Sequence, residues 1–282
     1  MSAMEPRPIG ISGTHRLLLR AALGEGENAR AAWREWRQAV SWPLCEVDAG
    51  SYSLLPLVFH GLSGFDGPGG EDLGLGRLRG IYRHSWVANE GSSRALGSAL
   101  ALLEEARQKT LLPDGAALAL RYYPHSACRP VVRQSLWLEP GQLRRGVELL
   151  RRANWRVLTR LPQPLAAGRN LVRRRWLLAQ GGCRLDVSAW RPGFAGWVER
   201  MPLPIGAGHG RVLDPTGQCL ELSWHIRRAS SADLPLLLAD WAWLIRSAGT
   251  RIDWTEIRPE SGVERLMAWL SAFDAGKIGE AP

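Results

Sequence analysis

Arg173–Ala179 and Cys183–Trp190 flank the three residues Gln180-Gly181-Gly182. No other feature narrows the fold as much. Two adjacent glycines supply the positive φ angles of a tight connection, so the flanking runs are expected to pair as an antiparallel hairpin. Upstream, Thr110–Leu112 reads as a short strand, Asp114–Tyr123 as a helix and Gln134–Leu138 as a strand. Pro140–Ala153 follows as a helix with Leu143, Val147 and Leu150 on its inner face, and Arg144, Arg145, Arg151 and Arg152 off it. Trp155–Arg160 is expected to be extended. The middle of the chain is therefore a small mixed α/β core.

Both flanks follow helical spacing instead. His15–Leu23, Asn28–Trp42 (with Asn28 as its N-cap), Ser53–Leu62 and about Leu78–Gln108 are expected helices, with Gly91 and Gly97 as candidate breaks in the last. Ser63–Gly76 and Arg191–Arg211 read as loops, followed by helices at Thr216–Arg228, Ser231–Ser247 and Gly262–Ala272. This order gives an α+β fold: an N-terminal helical region over 1–109, a core with a small mixed β-sheet over 110–190, and a C-terminal helical region over 191–282. Most tryptophans, among them Trp224, Trp241, Trp243 and Trp269, sit on amphipathic helices and are expected in the core.

The apolar run Leu234–Ile245 is interrupted by Asp240, and Met1–Thr14 lacks the apolar stretch of a secretory signal. A cytoplasmic protein without a membrane partner is the expectation. Cys45, Cys128, Cys183 and Cys219 form no C-x-x-C pair, and the six histidines show no metal-ligand spacing.

Charge is more telling. The chain carries a net +9, with thirty-four arginines and two lysines, Lys109 and Lys277. Residues 110–190 alone hold fourteen arginines against Asp114, Glu139, Glu148 and Asp186, a local +10, and the other 201 residues sum to −1. Two readings stay open: arginines on solvated helix faces, or a surface for a phosphate-bearing ligand or polyanion.

One stretch carries a resemblance. Leu111-Leu112-Pro113-Asp114-Gly115-Ala116-Ala117-Leu118 is followed by Tyr123, Arg129-Pro130, Leu136-Trp137-Leu138 and Pro140-Gly141-Gln142-Leu143. In order and spacing these resemble the L-L-K-G-A-A-L, tyrosine, R-P-x-G-D-I-D-L-L-V and P-x-D-L pattern of the uncharacterised bacterial nucleotidyltransferase family, in the polymerase-β-like superfamily. Ser53–Leu62, Leu149–Val157, Trp197–Leu203 and Leu238–Ile257 resemble its flanking regions. The resemblance implies a nucleotidyltransferase-like core and a site in which a D-x-D pair and a third acid hold two Mg²⁺ ions for transfer of a nucleotide's α-phosphorus.

The departures fall on that chemistry. The D-x-D places are Arg133 and Ser135, the glycine before them is Val132, and only the third acid remains, as Asp186. The resemblance thus implies a degenerate member: a pseudoenzyme that binds a nucleoside triphosphate or acts as a scaffold, with no metal and no cofactor. Gly115, Arg129, Arg133 and Ser135 are the implied nucleotide-binding residues. An active transferase with relocated acids is the alternative; it would use Asp114, Glu139 and Asp186 as catalytic carboxylates and would need Mg²⁺. Asp114 has a competing role as a helix N-cap, and Asp186 a structural one if it pairs with an arginine among Arg173–Arg175. An RNA- or protein-binding adaptor is the third reading.

Overall fold

The computed structural model describes residues 10–40, 47–63, 74–163, 173–190, 194–199, 202–257 and 262–274. In chain order its helices are α1 (Gly13–Leu23), α2 (Gly26–Ala39), α3 (Ala49–Ser63), α4 (Leu75–Glu105), α5 (Ala116–Arg121), α6 (Leu143–Arg152), α7 (Pro215–Ile226), α8 (Leu234–Ala248) and α9 (Val263–Asp274). The strands are β1 (Thr110–Leu111), β2 (Gln134–Leu138), β3 (Arg156–Gln163), β4 (Arg173–Gln180), β5 (Cys183–Ala189), β6 (Leu203–Ile205) and β7 (Gly208–Gly210). The fold is α+β. None of the described helices is long and apolar enough to cross a membrane.

Two compact units divide the chain. Ser85–Ser126 and Pro130–Gln218 form one; Met1–His84, Ala127–Arg129 and Cys219–Pro282 form the other. The first contains a five-stranded sheet in the order β1-β2-β5-β4-β3. β2 and β5 are parallel, and the other pairs are antiparallel. Strand alternation gives the sheet two different faces. On one, Leu136, Leu138, Trp176, Leu178, Leu185 and Val187 pack against Leu96, Ala99, Leu100 and Leu103 of α4 and Val147 and Leu150 of α6. The other face carries the polar residues described below.

Several local expectations are revised. Helix α2 starts at Gly26, so Asn28 lies within its first turn and is not its cap. Helix α4 runs unbroken through Gly91 and Gly97 over 31 residues. The stretch expected as one loop after Trp190 contains the β6–β7 hairpin, whose three-residue strands are too short to show a period in sequence. Its Gly206-Ala207 turn has φ +54° at Gly206. This hairpin docks on α4, where a Cβ on Gly97 would stand 2.2 Å from the Ile205 carbonyl oxygen and one on Gly208 would stand 2.4 Å from that of Gly97. The Gly-rich run there serves close backbone packing.

The helical unit is built on α1, α2, α3 and α8, with Leu18, Leu19, Trp33, Trp36, Leu54, Leu55 and Trp241 fully buried. The Trp33 and Trp36 rings stack at 5.1 Å. Trp224, Trp243 and Trp269 are half-buried. The described cysteines, Cys128, Cys183 and Cys219, are buried thiols that form no disulfide; Cys45 lies outside the described residues. Burial pushes the Cys183 thiol up to about 11 and that of Cys219 up to about 12, so neither is a nucleophile near neutrality.

Helix α3 begins at Ala49, earlier than its spacing suggested, because Asp48 caps it. The Asp48 carboxylate accepts from the Ser51 amide at 3.0 Å and sits 3.0 Å from His15 Nε2. Burial raises its pKa, but bonds from the Ser51 hydroxyl and amide and from His15 outweigh that and bring it down to about 2. A depressed folded pKa means the stabilisation is complete above the ordinary value near 4 and disappears as pH falls through about 2. Asp48 is half-exposed, so after solvent screening the effect is about 1 kcal/mol or less. Asp48→Ala is expected to lower the melting temperature at pH 7 and to differ from wild type by much less at pH 2, as differential scanning fluorimetry would show.

Candidate functional site

The polar face of the sheet can be built from register alone. Ser135 on β2 lies beside Asp186 on β5, and Asp186 lies opposite Leu177 on β4, which in turn lies opposite Thr159 on β3. Two residues back along β5, Arg184 is opposite Ala179, and Ala179 is opposite Arg156. Arg133 immediately precedes Gln134, whose partner is Leu185, so it stands level with Arg184.

Asp186 is at the centre, with its side chain 6 % exposed. Its Oδ2 accepts from Arg175 Nε at 2.5 Å and also from Arg175 Nη2. Arg133 Nε approaches the same oxygen at 3.7 Å. The bond from Asp186 raises the Arg175 pKa above its already high value; burial opposes this, and the charges of Asp186 and Asp114 reinforce it. The guanidinium therefore stays charged at every accessible pH.

Beside this group the Ser135 hydroxyl donates to Asp114 Oδ2 at 2.9 Å. Asp114 Oδ1 is buried with no donor. The carboxylate does not cap α5; the cap residue is Gly115, with φ +56°, which has no side chain to bond. Gln134 Oε1 takes the first amide of α5, that of Ala116, at 3.1 Å, and the Ala117 amide bonds the Asp114 carbonyl at 3.0 Å. Gly115 was implied to bind nucleotide, and the helix start it opens is where a phosphate would meet free N–H groups. Instead β2 and the preceding turn occupy them. A Cβ on Gly115 would lie 3.2 Å from Gln134 Oε1, so the glycine serves this contact.

Two other predicted residues are not brought into the cluster. Arg129 belongs to the helical unit, where Nε and Nη2 fork onto Asp240 Oδ1 and Oδ2 at 2.6 and 2.7 Å. Glu139 lies four residues along β2 from Ser135, about 13 Å in an extended chain, and pairs with Lys109 at 3.3 Å. Asn89 bonds the Ser126 carbonyl at 2.7 Å and the Val131 amide at 3.0 Å, fixing the approach of the chain to Arg133.

A divalent cation does not fit these residues. No group of three His, Cys, Asp or Glu side chains among the described residues is placed to hold one. The central carboxylate is already neutralised by Arg175, and Ser135 is turned as a donor toward Asp114. A guanidinium about 4 Å from a doubly charged ion would repel it by about 8 kcal/mol at an effective dielectric of 20.

The profile of the family described as uncharacterised nucleotidyltransferase matches residues 49–266. The chain belongs to that family. The matched span includes Arg133, Ser135 and Asp186. Among solved structures, the chain is similar to ANT(2'')-Ia in complex with adenylyl-2''-tobramycin, at 14 % identity over 65 % of this chain and 97 % of that one, with a TM-score of 0.43. It is also similar to an antigenic nucleotidyltransferase-like protein from Paracoccidioides brasiliensis, at 14 % identity over 66 % and 89 %, with a TM-score of 0.41. No curated protein sequence matches the chain.

Sequence reasoning missed two things about this site. One is the role of Gln134 on the α5 amide, which has no local signal. The other is that Arg184 and Arg156 share the face of Asp186. For Arg184 the signal was present, since counting by twos back from Asp186 reaches it; Arg156 is placed by the β3–β4 register, which no local pattern announces.

Proposed function

We propose that this protein is a nucleotidyltransferase-family pseudoenzyme that has lost metal-dependent transfer and binds the phosphates of a nucleoside triphosphate through arginine. One observation carries the reading: at the places where the resemblance puts the D-x-D pair and third acid, two guanidinium groups converge on the one remaining carboxylate. Arg175 neutralises Asp186 from within the hairpin. Arg133 is the looser partner, with half of its side chain exposed, and keeps N–H groups free to fork onto phosphate oxygens. The Ser135 hydroxyl lies one strand from Asp186 as a neutral contact. Arg129 and the first amides of α5 drop out, because their hydrogen bonds are made within the protein. No cofactor enters this reading. Relocated acids find little support, with Asp114 bonded to Ser135 and Glu139 far along β2.

Calorimetric binding of the four ribonucleoside triphosphates, in Mg²⁺ and again in EDTA, tests this. Binding is expected to survive EDTA and to weaken about tenfold or more in Arg133→Ala, the usual scale for losing a charge-assisted hydrogen bond. Binding that requires Mg²⁺ would overturn the reading and redirect attention to Asp114, Glu139 and Asp186.

A further inference from the structure

The proposed triphosphate site uses only part of the positive charge on its face. Arg133, Arg184 and Arg156 stand in one transverse row across β2, β5, β4 and β3, with Ala179 as the single small residue between the last two. Three interstrand spacings make the row about 14 Å long. All three side chains are exposed, and among the described residues neither Arg184 nor Arg156 has an ion-pair partner. Beside the row, Leu177 and Thr159 are half-buried, so the face offers no deep apolar socket for a peptide's anchor side chain. Helices α4 and α6 cover the opposite face; on this one an apolar cluster of Leu111, Trp137 and Leu213 covers the β1 end, and the row stands four residues along β2 from Trp137, where its side chains are exposed.

We infer that this row binds the phosphodiester backbone of a single nucleic-acid strand laid across the sheet, one end of it beside Arg133. At about 14 Å the row is long enough to meet more than one phosphate of an extended strand. Guanidinium groups at fixed spacing suit repeated phosphates, and a flexible strand can follow the twist of the sheet. No aromatic side chain stands in the row to stack a base. Binding is therefore indifferent to sequence and to the 2'-hydroxyl, and is governed by salt. This goes beyond the triphosphate pocket; the two share Arg133 but not Arg184 or Arg156.

The test is fluorescence anisotropy of a labelled 12-mer oligouridylate with the full chain between 50 and 200 mM salt. Three arginine contacts predict a slope of log K against log salt near −2, from about −0.7 per contact on a single strand. Arg156→Ala/Arg184→Ala is expected to weaken binding about tenfold or more and to bring the slope to about −0.7. Arg145→Ala, on α6 and on the other side of the sheet, is expected to change binding less than twofold. Oligothymidylate of the same length should bind like the RNA. Equal losses in the double variant and in Arg145→Ala would overturn the proposal, as would no binding at 50 mM salt. So would displacement of the oligomer by polyglutamate as readily as by unlabelled oligouridylate. Triphosphate binding by the double variant, measured in EDTA, separates the two proposals: it stays at the wild-type value if the pocket is independent of the row. Loss of the pocket alone leaves oligomer binding in place.

Discussion

Arg129→Ala is expected to destabilise the helical unit by about 3–5 kcal/mol, the scale for removing one partner of a buried ion pair. The Asp240 side chain is fully buried, and the guanidinium that forks onto both of its oxygens is itself only 8 % exposed. Truncation leaves an ionised carboxylate away from water without its counter-charge, and that desolvation outweighs the small packing change. Chemical denaturation followed by circular dichroism should register the loss, with a melting point lower by about 10 °C for a chain of this size. The double change Arg129→Met/Asp240→Leu removes both charges together and should recover most of the stability, because an apolar pair of similar volume carries no uncompensated charge. A single-variant cost below about 1 kcal/mol would mean that water reaches Asp240 when the arginine is gone.

Gly97→Ala should be nearly as damaging, and its sign runs against ordinary helix chemistry. Alanine in place of glycine inside a helix normally stabilises by about 0.8–1 kcal/mol. At Gly97 the new methyl would meet the Ile205 carbonyl oxygen at 2.2 Å and the Ala207 amide nitrogen at 2.9 Å, both backbone atoms of the β6–β7 hairpin. Neither can rotate away, so the hairpin must lift from α4, at an expected net cost of about 2–3 kcal/mol. Gly91 in the same helix has nothing within 4 Å of an added Cβ, and Gly91→Ala is expected to stabilise by the usual helix increment. Opposite signs at two glycines six residues apart on one helix would locate the hairpin contact in solution. Stabilisation at both would place the hairpin off the helix.

What the sequence made legible follows the range of the interaction. The pairing of Asp186 with Arg175 lies within one hairpin, eleven residues apart, and the two-glycine turn sets which residues face each other. The sheet's apolar face was readable because alternation and helix spacing are local patterns. Arg129 is different: its partner is 111 residues away, and nothing near either residue announces the pair. An arginine beside a proline in a family-like motif invited a ligand role, whereas the fold uses it as a buried strut. The β6–β7 hairpin escaped for another reason. Three-residue strands show no period, and the glycines that fit them to α4 look in sequence like those of any loop.

The two-glycine turn also bears on how such a site changes over generations. Arg175 and Asp186 are carried by one local hairpin, so the neutralising charge arrives with the carboxylate each time the chain folds. Under the proposed reading, aspartates regained at positions 133 and 135 would find the central carboxylate still claimed by Arg175, and they would extend a salt-bridge network before they could gather a cation. Changes on β4 as well as β2 must accumulate before any of them restores chemistry, and the intermediates gain nothing from it. On that reading the hairpin works as a ratchet, holding the lineage on the far side of the reaction and leaving the open face to be shaped for other uses.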